Sequence, residues 1–485
     1  MLLCSMGSAA ADWTVDEVRA GLYAALDGLG ARRRVLAVPP DFTRLHSQAG
    51  LVTELAWHYY GDRLADVLPA TGTHVPVTAA ETAAMFGRVP RELFRAHDWR
   101  RGTVRLGEVP PGYVRDATGG AVDFGVPVEL DRLLVEGGHD LVLSIGQVVP
   151  HEVVGMAGYT KNLFVGAGGP GAINRSHFLG AVCGMERIMG RADTPVRRVM
   201  NYGIGRFAGH LPVVYILTVV GNGGNGKAAF RGLFIGDDAE CFDRAAALAL
   251  ETNFALVETP IRKCVVYLDP SEFHSTWLGN KSIYRTRMAM ADGGELLVLA
   301  PGLERFGEDD AVDRLIRRYG YPGTPAVLEA VRTRPDLGES LMTAAHCIHG
   351  STEGRFTVTY CPGRLSRREI EGVHYRYGDL AGALARYDPA VLDENARVIG
   401  DGGGKVPTVA GGMYGADRVT NLYWALALKY GQRLDYRIAT VNGEPGLLRF
   451  IDGALESAQA VATDGARIGA FYVVRNPDKL ARIRV

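Results

Sequence analysis

Short, uninterrupted apolar runs closed by Pro, Gly or Asp alternate along this chain with longer segments whose apolar positions recur at helical spacing. The first kind predicts buried strands and the second amphipathic helices, so the alternation predicts a layered α/β protein. "RRVLAVPPDFTR" predicts a strand from Val35 to Val38 entering a Pro-Pro turn; a helix follows, with Ser47 at its N-cap and "LVTELAWHYY" as its apolar face. "RLADVLPATGTH" predicts a second strand whose loop delivers His74, and "GHDLVLSIGQVVPHE" a third that ends at His151. The strand-rich stretch 210–236 carries a turn at Gly221 to Gly226. Beyond it "KCVVYLDP" (263–270), the helix-like "NKSIYRTRMAMAD" (280–292) and "GGELLVLAPG" (293–302) repeat the alternation. The tail "GEPGLLRFIDGALESAQAVATDGA" reads as a helix, with a short strand after it.

A chain of 485 residues exceeds the size at which one core stops growing, so more than one domain is expected. The pattern predicts a two-domain layered α/β protein with its active site in the interdomain cleft. An N-terminal α/β domain spans 1–265, a second α/β domain contributing substrate contacts spans 266–430, and a segment at 431–485 packs back on the first. Basic and acidic residues balance, 53 against 54, which removes the broad field of a nucleic-acid or anionic-membrane binder. The six cysteines are scattered without a C-x-x-C pair, which reads as reduced thiols in a cytoplasmic protein. No apolar stretch reaches the ~18 residues that span a bilayer.

In parallel α/β sheets ligands lie beyond the carboxyl ends of the strands. Asp41, Arg44, His74 and His151 each follow a predicted strand, so they can converge on one cleft. After His151, the stretch "HEVVGMAGYTKNLFVGAGGPGAINRSHF" adds Lys161, four glycines and His177. One reading is a dinucleotide loop, since Gly166, Gly168 and Gly171 satisfy G-x-G-x-x-G, with Glu186 near the ribose position; that would suit an NAD-dependent 2-hydroxyacid dehydrogenase. Another is metal hydrolysis with His74, His151 and His177 as ligands. A third takes the residues together. An amine in a glycine-lined loop can hold a cofactor covalently, an imidazole can ligate a metal carried by it, and two further histidines can serve as acid and base. Against all three, a histidine or lysine is by default a structural or surface residue.

"DFTR" (41–44), "GTH" (72–74), His151, Lys161 ten residues later and His177 sixteen after that together resemble the nickel-dependent lactate racemases and their 2-hydroxyacid racemase relatives. The resemblance implies a nickel-pincer nucleotide, pyridinium-3-thioamide-5-thiocarboxylic acid mononucleotide, tethered by Lys161, with His177 as the protein's nickel ligand. It implies His74 and His151 as the catalytic bases, and Asp41, Thr43, Arg44, Gly166, Gly168 and Gly169 near the cofactor. Arg44 would bind an anion, either substrate carboxylate or cofactor phosphate, and Asp41 would orient a neighbouring base. Proteins that make the cofactor are then expected partners, and a small 2-hydroxy acid the substrate.

Lactate racemases carry Tyr-Gln, with a lysine three residues after the glutamine. Here Tyr284 is followed by Arg285, and Met288 stands at the lysine position. Arg285 adds a fork of donors, and Lys281 or Arg287 could restore the missing charge. With Tyr284, Arg285, His346 and His349 as substrate contacts, the expected substrate is larger or more polar than lactate, such as an aldonic acid. Lactate racemase proper remains the alternative.

Overall fold

Four parallel strands form the floor of the functional site. In the computed structural model, which describes residues 1–223, 228–387, 397–401, 413–414, 416–441, 444–463, 468–481 and 483, a six-stranded sheet runs Leu2–Gly7, Ala228–Gly236, Val213–Asn222, Leu141–Gln147, Val35–Val38, Leu64–Val67. The last four are mutually parallel, and Ala228–Gly236 runs antiparallel to both of its neighbours. Every residue of Val35–Val38 is buried, as is nearly all of Leu141–Gln147. Strands covered on both faces need such continuous apolar runs, which is why these read clearly from sequence. The turn expected at Gly221 to Gly226 lies in part outside the described residues.

Helices Val15–Gly28 and Ala49–Tyr60 pack on this sheet through Val18, Leu22, Leu26, Val52 and Leu55 against Val35, Leu143 and Ile216. A capping box of Thr14 and Glu17 starts the first helix. The second begins at Gln48, in the left-handed conformation without a side-chain cap; Ser47 sits one residue earlier and accepts from the Ala49 amide. Strand order reverses at Val35–Val38, which has Leu64–Val67 on one side and Leu141–Gln147 on the other. Loops leaving the two sides of such a reversal diverge and open a crevice.

The chain groups into two units, Met1–Val298 with Gly302–Tyr377, and Leu299–Pro301 with Gly378–Val485. The first also contains a four-stranded sheet in the order Ile261–Tyr267, Met290–Ala300, Thr357–Pro362, Arg376–Tyr377. The helix expected over 280–292 stops at Thr286, and the strand starts at Met290. Arg287 caps the helix with helical angles while its side chain bonds Glu186, and Met290 is buried in the sheet.

The second unit holds a sheet ordered Met413–Tyr414, Arg397–Asp401, Ile468–Val474, Ala454–Thr463, Glu444–Ile451, Leu434–Val441. The helix expected in "GEPGLLRFIDGALESAQAVATDGA" is instead the hairpin Glu444–Ile451 and Ala454–Thr463. Its alanine-rich second arm favours a helix locally, but Asp452 and Gly453 both adopt positive φ (52° and 77°) and form a hairpin turn that overrides it. Residues 431–485, read from sequence as a separate terminal segment, share this sheet with 397–401.

Candidate active site

Pro39 and Pro40 end the strand Val35–Val38 and place Asp41 as N-cap of the turn Phe42–Ser47. Its Oδ1 accepts from the Thr43 amide at 3.0 Å and from the Thr43 hydroxyl. Its Oδ2 lies 2.5 Å from Nδ1 of His74, on the loop after Leu64–Val67. Asp41 is buried, which disfavours its charge, yet the hydrogen bond and charge of His74, with Thr43 and Arg44, hold its carboxyl below the usual range. An ionised carboxylate only accepts, so the neutral His74 ring carries its proton on Nδ1 and leaves a lone pair on Nε2. The His74 loop is tied down where the Gly72 amide donates to the Gly166 carbonyl, at 2.8 Å.

His151 has the opposite tautomer. It follows Leu141–Gln147 in a short ribbon, Pro150–His151 against Gly155–Met156, and its Nδ1 accepts from the Val153 amide at 3.1 Å. A backbone N–H only donates, so the neutral ring carries its proton on Nε2. Burial holds this imidazole well below its ordinary pKa despite the Glu152 charge, and Lys161 and Arg44 push the same way. The Glu152 carboxyl is held below its usual range: burial opposes its charge, but interactions with His151, its own backbone amide, His349 and Arg285 outweigh that.

Lys161 leads into a wide turn at Asn162–Gly166. The Asn162 amide reaches back to the Val38 carbonyl and the Ser144 hydroxyl, pinning the turn to both strands at the order reversal. Just upstream Arg197, 2% exposed, donates to Met156 and Gly158 carbonyls and the Thr160 hydroxyl beneath the Phe242 ring. The Lys161 amine has no ion pair among the described residues. Burial, then the Arg44 charge, pushes it down to about 8, against the opposing pull of Glu152 and Asp41.

His177 sits on the helix Pro170–Cys183 and donates from Nδ1 to the Ile173 carbonyl at 2.8 Å, leaving its Nε2 lone pair free. That is the tautomer a metal-ligating imidazole needs. Among the described residues no group of three or more His, Cys, Asp or Glu side chains is arranged to hold a metal ion. The three-histidine zinc site therefore does not form, and any metal at His177 must bring other donors. The same helix also argues against the dinucleotide loop. Glu129 accepts from the Gly171 and Ala172 amides at 2.9 and 3.3 Å, occupying the helix N-terminus where a pyrophosphate would bind. A Cβ on Gly166, Gly168 or Gly169 would collide with Ala70, the Phe164 carbonyl or Glu129, so what these glycines admit closely is the protein's own chain. The Gly168 carbonyl is further clamped by His97, which is bonded to Asp131.

From the four-stranded sheet's side, Arg285 is exposed on the helix Lys281–Thr286, and its charge acts on Glu152. Lys281, on the same helix, has a lowered pKa through burial and the Arg44 charge, opposed by Glu152. The Arg44 and Glu152 charges thus reach Lys281, whereas Arg287 is occupied by Glu186 at 2.8 Å and by the His349 and Ser351 carbonyls. His346 is not open to substrate. Its ring nitrogens meet the Tyr284 and Tyr321 hydroxyls, each at 3.0 Å, and burial pushes its pKa down to about 3. The Tyr284 hydroxyl is engaged by the same bond. His349 is 5% exposed with a partnerless buried Nε2, and the charges of Glu152 and His177 act on it.

Sequence reasoning passed over Glu152, Arg197 and Glu129. Glu152 was visible as an acid directly beside a catalytic candidate. The other two act through carbonyls and amides far away in sequence, which no local signal reveals.

Residues 24–188, which include Asp41, His74, His151, Lys161 and His177, match the model of the lactate racemase N-terminal domain. No curated protein matches the chain. A crystal structure of a protein from Thermotoga maritima shares the fold with a TM-score of 0.67 at 24% identity, over 78% of this chain and 94% of its own. The lactate racemase apoprotein from Thermoanaerobacterium thermosaccharolyticum shares it with a TM-score of 0.56 at 19% identity, over 74% of this chain and 82% of its own. Residues 24–188 therefore carry a lactate racemase N-terminal domain, within a chain that shares the overall fold of both structures.

Proposed function

We propose that this protein is an isomerase that inverts the C2 stereocentre of a 2-hydroxy acid with a nickel-pincer nucleotide. One observation carries the reading. A partly buried amine without an ion pair among the described residues, Lys161, lies close enough to both His151 and His177 for its charge to act on each. The residues fit the cofactor: Lys161 would form its tether, and Nε2 of His177 is free to ligate a metal whose other donors belong to the nucleotide. When bound, that group supplies a hydride acceptor at its pyridinium ring and a Lewis-acidic nickel.

The chain's own residues supply proton transfer and position. His74, oriented by Asp41, takes the substrate hydroxyl proton at Nε2, while His151 offers its Nε2–H to the substrate oxygen. To complete an inversion His151 must give up a proton, which only the imidazolium does. It first takes one from solvent on Nδ1 and releases the Val153 amide; in the opposite direction that Nδ1–H form accepts the substrate proton at Nε2. Arg44 and Lys281 suit the substrate carboxylate or cofactor phosphate, since both are anions. Arg285 adds donors beside them, favouring an aldonic acid over lactate; efficient turnover of lactate alone, in a panel with sugar acids, would refute that preference. Among the described residues no helix is long and apolar enough to cross a membrane. We place the protein in the cytoplasm, beside the proteins that make its cofactor.

The test is mass spectrometry of the Lys161 peptide, with nickel quantified, on protein made in cells that synthesise the cofactor. An adduct with stoichiometric nickel is expected. An unmodified lysine without nickel, beside a loaded control enzyme, would overturn the proposal. Substrate-dependent reduction of added NAD would instead support a dehydrogenase.

A further inference from the structure

Glu152 has a role that the racemase reading leaves open. Its side chain is 21% exposed, and the nearest basic atom, Nδ1 of His151, lies 3.9 Å away, beyond hydrogen-bonding reach and already accepting from Val153. Among the described residues no side chain donates a hydrogen bond to this carboxylate. A largely buried carboxylate can accept several, and leaving them unmade is unfavourable, so such groups are normally paired. His349, whose field it shares, likewise keeps a buried, partnerless Nε2. A carboxylate with no side-chain donor among the described residues and a buried, partnerless nitrogen thus adjoin the histidine that faces the substrate oxygen.

We propose that Glu152 is a specificity-determining residue whose carboxylate accepts hydrogen bonds from hydroxyl groups on the substrate chain beyond C2, with Nε2 of His349 as a second contact. The inference rests on the 2-hydroxyacid reading and deepens it: the substrate is a 2,3-dihydroxy or longer polyhydroxy carboxylic acid. An alkyl chain would bury the Glu152 charge without a partner. A second carboxylate would meet a like charge. The cations around the site, Arg44, Lys281 and Arg285, suit the single carboxylate at C1 and the nucleotide phosphate. Vicinal hydroxyls also occur on the ribose of a mononucleotide, so the test separates the two sources.

The purified chain without cofactor is titrated calorimetrically with three acids of equal length: a polyhydroxy acid, the 2-hydroxyalkanoic acid and the 2-hydroxy dicarboxylic acid. Wild-type protein, Glu152→Gln and Glu152→Ala are compared, and circular dichroism confirms that each variant is folded. Wild type is expected to prefer the polyhydroxy acid by about 10- to 100-fold, the range for hydrogen bonds to a charged group. Glu152→Ala should abolish the preference, and the isosteric Glu152→Gln should reduce it while admitting the dicarboxylate. An undiminished preference in both variants would overturn the proposal. So would loss of nicotinic acid mononucleotide binding with acid selectivity intact, which assigns Glu152 to the ribose. The same ratio read as kcat/KM on cofactor-loaded enzyme separates the two claims. Absence of inversion with any acid refutes the isomerase, whereas unchanged selectivity in an active Glu152→Ala enzyme refutes only the role of Glu152.

Discussion

Asp41→Asn should damage catalysis more than Asp41→Ala, and the reason lies in the hydrogen-bond directions around one side chain. The position of Oδ1 receives the Thr43 amide, which only donates, so the asparagine oxygen must stay there. Its NH2 group then faces Nδ1 of His74, 2.5 Å from the present Oδ2. Two donors cannot share that contact. His74 must move its proton to Nε2, losing the lone pair that accepts the substrate proton. A hydrogen bond to a charged partner contributes about 1.5–3 kcal/mol, or roughly 10- to 150-fold in rate. His74 is half-exposed, so solvent screening favours the lower end; loss of the tautomer adds to it. We expect kcat/KM to fall about 10- to 100-fold in Asp41→Asn, equally in both directions because the substrates alone set the equilibrium constant. Asp41→Ala leaves both tautomers accessible and should retain more activity. Chiral chromatography of the two epimers gives the rates, and 15N chemical shifts of the His74 ring report the tautomer in the protein without cofactor. Equal or higher activity in Asp41→Asn, or an unchanged Nδ1–H tautomer, would refute the reasoning.

Amine-specific acylation followed by peptide mass spectrometry should show Lys161 half-reactive near pH 8, well below surface lysines; a midpoint above pH 10 contradicts the burial argument. The same depression destabilises the fold below about pH 8, where the folded chain must bury the charge, and the penalty fades as pH rises toward 10.5, where the unfolded chain also loses the proton. Lys161→Met should therefore raise the urea midpoint at pH 7 and lose that advantage above pH 10. His177→Ala should release nickel from loaded enzyme while His74→Ala retains it without turnover; equal metal loss in both would make His177 merely structural. Arg197→Met leaves acceptors on Met156, Gly158 and Thr160 unmet, at about 1–3 kcal/mol each, offset in part by removal of a buried charge. Hydrogen exchange should rise across the loop leading to Lys161, and unchanged protection there would deny Arg197 its positioning role.

The sequence by itself determined the parallel strands at Val35 and Leu141, because a strand covered on both faces must be apolar throughout. It also determined that Asp41, His74 and His151 follow strand ends, since the turn residues that stop a strand are local. The hairpin at Asp452-Gly453 reads in sequence as a helix instead, because the alanine-rich arm after the turn dipeptide favours one locally. Tertiary structure alone decided what each group does. His74 and His151 look equivalent in the chain, yet an acceptor-only carboxylate and a donor-only amide give their rings opposite tautomers. Arg287 and Lys281 look interchangeable as replacements for a missing cation, but Glu186, a hundred residues away, occupies the first. His346 looks as available as His349 until two tyrosines close on both its nitrogens. The physical reason is the same throughout: strand and turn formation depend on neighbours in sequence, whereas protonation and availability depend on whichever distant donor or acceptor the fold brings within about 3 Å.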